Sequence, residues 1–201
     1  MNKSVSSLLA LCAAWAVAVA AAGALHLIVH VPPAAVLAFI GGATLLLTLA
    51  VLRGPFGPAL EAIGPRGLLA INLGRIVGLV FVWLHAQGRL PVEFSDRAGW
   101  GDVAAAGGAL VLILWNGGPG YRPAFILWNL FGMLDLVVAV GTAGWLNVVR
   151  PGAMAEMASF PLCLVPFWAV PILMSTHLFL LRRLTRECRA TDGGASRAAA
   201  A

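Results

Sequence analysis

The chain has 201 residues, a net charge of +5, an apolar share of 61% and a charged share of only 10%. A soluble domain carries about 25% charged residues to wet its surface, so this composition excludes one. The apolar residues fall in blocks of about twenty, the length that crosses a ~30 Å hydrocarbon layer as helix. They lack the alternation of outer-membrane barrel strands. The fold class expected is therefore all-α, a polytopic transmembrane bundle of about six spans.

Helix one is expected over about 5–29, closed by the turn Val31-Pro32-Pro33. Lys3, the apolar run and the alanine-rich stretch at 18–22 fit a cleaved signal sequence in part. The run exceeds the roughly 7–15 apolar residues of such a signal and a second span follows at once, which favours a retained helix. Helix two covers about 34–52 and stops at Arg53-Gly54-Pro55. A Gly/Pro-rich loop with Glu61 and Arg66 leads to helix three, about 67–87, where Gly74 and Gly78 would admit a close backbone. The loop 88–101 is the most polar interior segment, and Asp102 stands as an N-cap for helix four, about 103–116. Helix five follows over about 123–146, and helix six, with Pro161, Pro166 and Pro171, over about 160–184. Residues 185–201 read as a short disordered tail.

Basic residues set an orientation. With the N-terminus in the cytoplasm, that side holds Lys3, Arg53, Arg66, Arg122 and the tail residues Arg182, Arg183, Arg186, Arg189 and Arg197, nine in all. The other side holds Arg89, Arg97 and Arg150, and Arg75 lies within helix three. Such a bias implies an inner-membrane protein with N- and C-termini in the cytoplasm and the lipid bilayer as its first partner. Oligomeric state is open. The tail arginines lack the interleaved aromatics of a nucleic-acid binder. Cys12, Cys163 and Cys188 have no ligand spacing.

From helix three onward several motifs occur together: Asn72-Leu-Gly-Arg75, Gly88-Arg-Leu-Pro91 with Phe94, Ala98-Gly-Trp-Gly-Asp102, Asn129-Leu-Phe-Gly132 with Asp135-Leu136, and Pro161 through Pro166 and Pro171 to His177. Over residues 68–184 this resembles a family of uncharacterised bacterial multi-pass membrane proteins. The resemblance implies a membrane fold in which these polar positions matter together, and it implies no reaction.

An ionised side chain at mid-membrane costs at least ~2.5–3.5 kcal/mol, so each requires a partner. Arg75 lies roughly 12 Å into helix three and Asp135 roughly 18 Å into helix five, both counted from the cytoplasmic side at about 1.5 Å per residue. They are expected to form a buried ion pair. Asn72, Asn129 and His177 fall in the same layer. Two readings of these five residues stand side by side: polar clips between helices, each worth about 0.6 kcal/mol, or a site for a small ligand, ion or proton.

A second group lies toward the outer face. His26 and His30, four apart on helix one, and His85, at the end of helix three, could share a metal with a nearby carboxylate. His30 and His85 could instead face each other across a haem. Interfacial histidines need neither, so the cofactor is unknown, with none, metal and haem all open. Most tryptophans near helix ends fit an aromatic belt. No phosphate loop, Gly-x-Ser-x-Gly or His-Glu-x-x-His occurs, which weighs against an enzyme. Three classes remain: a binding or transport protein built on the Arg75–Asp135 layer, a membrane metal or haem protein of oxidoreductase type, and a non-catalytic accessory or assembly subunit.

Overall fold

A computed structural model describes residues 3–115 and 117–198, with side chains placed as far as Arg186. Among the described residues there is no strand. Among these same residues, six helical segments are long and apolar enough to cross a membrane: α1 Lys3–Ala24, α2 Pro33–Leu52, α3 Gly57–Ala86, α4 Val92–Trp115, α5 Tyr121–Val149 and α6 Val165–Arg186. The backbone of α6 continues as helix to Ala198, past the 184 expected. Cys188, Arg189 and Arg197 lie beyond the described side chains.

Helices α3 to α6 form the centre of the bundle. Between 33% and 50% of each of these spans is buried, against 6% for α1 and 11% for α2, so α1 and α2 are peripheral. Helix α2 lies along α6 and α5, while α1 touches α3 and the start of α6. The Thr48 hydroxyl donates to Ser175 Oγ at 3.3 Å, clipping α2 to α6. At the end of the bundle nearest the N-terminus, Val51, Leu60, Leu68, Leu112, Phe125 and Phe179 pack together. At the far end Phe81, Leu84, Phe94, Leu146 and Met157 do so. The exposed apolar residues, such as Leu46, Leu114, Leu127 and Val148, lie on faces that lipid can cover at no hydrophobic cost.

Several boundaries differ from the sequence expectation, each for a local reason. Helix α1 ends at Ala24, not near 29, because His26 adopts a left-handed φ of 54°. Such a backbone cannot continue a right-handed helix. The expected loop before helix three is helical from Gly57, broken only where Gly64 takes φ 71° and Pro65 follows. Its Glu61 pairs with Arg183 at 2.7 Å. Helix α3 then tightens into a 3₁₀ stretch over Leu73–Val77 before resuming at Gly78.

The largest correction concerns α4. It begins at Val92, directly after Pro91, and runs through a π-helical turn at Ser95–Gly99 into Trp100–Trp115. The presumed loop 88–101 is therefore mostly helix. Asp102 is not an N-cap; it lies ten residues into the helix, about 15 Å from its start, and is buried. Helix α6 opens in the same way, with a π-helical turn at Val165–Ala169 that accommodates Pro166.

Candidate functional site

The site begins with Arg75, in the 3₁₀ stretch of α3, whose side chain is 1% exposed. An arginine has five N–H donors in a planar fork and keeps its charge under protein conditions. Buried here, it directs that fork at two neighbouring helices. Its Nε donates to Asp102 Oδ1 of α4 at 2.7 Å. One terminal nitrogen, Nη1, donates to the Gly132 carbonyl of α5 at 3.1 Å, and Nη2 pairs with Asp135 Oδ2. One guanidinium thus joins α3, α4 and α5.

Glycines make this approach geometrically possible. A Cβ on Gly78 would lie 2.8 Å from the Asp102 Cβ, so α3 and α4 meet backbone to backbone there. A Cβ on Gly101 would collide with the Asp135 carboxylate, and one on Gly132 would lie 2.7 Å from His177 Cε1 and 3.1 Å from Arg75 Nη1. Of the expected Gly74/Gly78 contact, only Gly78 is used; Gly74 faces open space.

A second polar unit packs beside the first. Asn129 Nδ2 donates to the His177 main-chain carbonyl at 3.2 Å, which leaves Asn129 Oδ1 as the acceptor facing His177 Nδ1 at 2.8 Å. On this amide assignment, His177 carries its proton on Nδ1, and Nε2 presents a lone pair. That Nε2 is buried without a hydrogen-bond partner, and its position near Gly132 brings it close to the Arg75 guanidinium. Trp128 stacks obliquely on the ring, centroids 5.2 Å apart, while its Nε1 donates to the Ala105 carbonyl at 2.8 Å. Asn72 is fully buried but stands apart from these bonds. Its Nδ2 returns to Leu68 O of its own helix at 3.0 Å, and its Oδ1 is unpartnered.

The structure therefore brings Arg75 and Asp135 into contact and pairs Asn129 with His177 on the same glycine. Sequence reasoning missed Asp102 as a member. The signal was available: Pro91 at the threshold of a helix with Glu93 in its first turn marks a helix start, and counting from there places Asp102 in mid-span.

The outer histidines are placed differently from expectation. His26 lies in the turn after α1 and His30 in a short 3₁₀ turn, so the two do not share a helix face. Both are exposed, and His85 Nδ1 is 3.0 Å from the Leu90 carbonyl, closing the turn after α3. Among the described residues, no three His, Cys, Asp or Glu side chains are grouped as metal ligands.

A cavity of about 280 Å³ adjoins the cluster between α2, α4, α5 and the start of α6. Its walls are apolar, with Ile40, Leu136, Ala139 and Phe167 among them, and its polar lining includes Asp102 and Asn147.

These features define an all-helical bundle of six membrane-length apolar helices, organised around a buried arginine held by carboxylates from two neighbouring helices. Residues 32–185 match the domain of unknown function DUF8737, and the chain belongs to that family. The match takes in α2 through nearly all of α6, hence every member of the cluster, and leaves α1 outside. No curated protein and no solved structure matches the chain.

Proposed function

We propose that this chain is a multi-pass protein of the bacterial inner membrane that binds a proton or a small ligand at the Arg75–Asp102–Asp135 cluster. One observation carries the reading: two carboxylates contact a single buried guanidinium. With both ionised the cluster bears a formal charge of −1, which is costly within a low-dielectric bundle. One proton or one bound cation brings it to zero. A purely structural clip would need only one carboxylate for one arginine.

Among the described residues, His177 on α6 also faces the cluster, α2 carries no charged or titratable side chain, and α1 carries Lys3 at its start and Cys12 midway. Nine basic residues on the segments that share a side with the termini, against three on the opposite side, support cytoplasmic N- and C-termini.

Infrared spectroscopy of the purified protein across pH tests the reading, because a protonated buried carboxyl gives a C=O stretch that a carboxylate lacks. The expected result is a titrating carboxyl band that is lost or displaced in Asp102→Asn and in Asp135→Asn. A wild-type protein with no such band at any pH at which it stays folded would refute proton binding.

A further inference from the structure

We infer that the cavity beside the cluster is a binding site for an elongated lipophilic ammonium ion, its apolar body along α5 and its cationic head on Asp102. The inference rests on the proposed charge imbalance of the cluster and names a class of ligand for it. Three observations converge.

The first is shape. On α5 the cavity is lined from Leu136 to Asn147, eleven residues or about 16 Å of helix. Between Leu136 and Asn147 the wall on α5 includes the small side chains of Ala139 and Ala143 beside Val140, while Leu37 of α2 closes over Gly144.

The second is polarity. Along that length the surface is dominated by apolar side chains, so a ligand's body gains by leaving water. A polar solute without such a body would lose hydration without replacement.

The third is the character of the polar end. Asp102 gives Oδ1 to Arg75 Nε, and its side chain, 10% exposed, lines the cavity. A carboxylate is an acceptor with about four lone-pair positions and no donor when ionised, so a head group that meets it must donate. Arg75 already supplies the guanidinium, and one further positive charge balances the second carboxylate. An ammonium supplies both the donors and the charge. A neutral alcohol supplies a donor without the charge, and a carboxylate head would add to the repulsion. At the other end, Asn147 offers an amide that tolerates either a polar tail or water.

The test uses the full-length protein in zwitterionic lipid nanodiscs with three probes of one chain length: dodecylammonium, dodecanol and dodecanoate. The thermal unfolding midpoint is followed as each is added. Dodecylammonium is expected to raise the midpoint of the wild type in a saturable manner, with no rise for dodecanol or dodecanoate. The rise should disappear in Asp102→Asn and in Ala143→Trp, which fills the cavity without touching the cluster. Should Asp102→Asn fail to fold, Ala143→Trp and the probe series decide the matter. An equal rise with dodecanol, or persistence of the ammonium effect in Ala143→Trp, would overturn the inference in favour of unspecific lipid filling. Absence of any rise in the wild type would overturn it as well. Ala143→Trp should retain the infrared carboxyl titration, so loss of ammonium binding there separates this inference from proton binding at the cluster.

Discussion

At the scale of single residues, the decisive quantity is the charge left in the bundle after each substitution. With both carboxylates ionised, the wild-type cluster sums to −1, Asp102→Asn or Asp135→Asn gives 0, and Arg75→Gln gives −2. Removing the cation from a buried pair typically costs about 3–5 kcal/mol. Arg75→Gln should therefore be the most damaging of the three, and Asp135→Asn markedly milder, since an asparagine still accepts from the guanidinium. The double change Arg75→Gln/Asp135→Asn returns the sum to −1 and should be less damaging than the two losses added together. Equilibrium unfolding of these variants in mixed detergent micelles measures the cycle. Strict additivity would mean that the contact seen between Arg75 and Asp135 carries no coupling. Of this residue-level chemistry, the Arg75–Asp135 contact was legible in the sequence, because depth along a helix is simple arithmetic once its start is known. Asp102 is not, because the polar run around Glu93, Asp96 and Arg97 reads as loop and moves the expected start of α4 eleven residues too late, although α4 already runs through it.

At the scale of helices, glycines set how close the elements come. Gly101 lies where a Cβ would overlap the Asp135 carboxylate, and Gly132 sits beneath both His177 and Arg75. Gly101→Ala and Gly132→Ala should each destabilise by about 1–3 kcal/mol, the range for forcing extra volume into a packed interior. Gly74→Ala, next to Arg75 in the chain but facing open space, is the control. It should be neutral or slightly stabilising, as alanine is the better helix former. If all three behaved alike in thermal unfolding, helix propensity rather than close approach would govern these positions. The sequence pattern Gly-x-x-x-Gly singled out Gly74 and Gly78 equally, whereas only Gly78 meets a neighbour. Spacing identifies a face of small residues; which member is covered depends on the crossing point of α3 with α4, and that is a property of two helices. The same limit applies to His26 and His30. Their spacing of four places them together only on a continuous helix, and the left-handed backbone at His26 ends α1 before either is reached.

At the scale of the molecule, the number of spans followed directly from composition, since about twenty apolar residues per block leave little choice of element. The proposed orientation follows from charge counting and has its own check: a C-terminal protease site should be cut from the cytoplasmic side and protected from the opposite side in sealed vesicles, and the reverse pattern would invert it. The far end of the bundle carries a feature that no periodicity announces. Arg89, just beyond α3, makes a two-pronged pair with Glu156, at 3.0 Å from Nε and 2.7 Å from Nη2, and Arg150 pairs with Glu93 at 2.5 Å. The segment 150–158 is thus held to the α3–α4 side by two ion pairs of opposite sense, and residues 151–158 also contribute to the cavity wall. Surface ion pairs hold segments only weakly and are screened by salt, so this segment should open readily without disturbing the buried cluster. Arg89→Glu should speed amide hydrogen exchange in 150–158 while leaving exchange around Arg75 unchanged. Combining it with Glu156→Arg should restore the slower exchange, because the reversed pair has the same geometry and sign product. High salt should speed exchange of the wild-type segment toward that of the single variant. If exchange in 150–158 stayed fixed through all three changes, apolar contacts such as that of Met157 with the Phe81–Leu146 core, and not the ion pairs, would hold the segment in place.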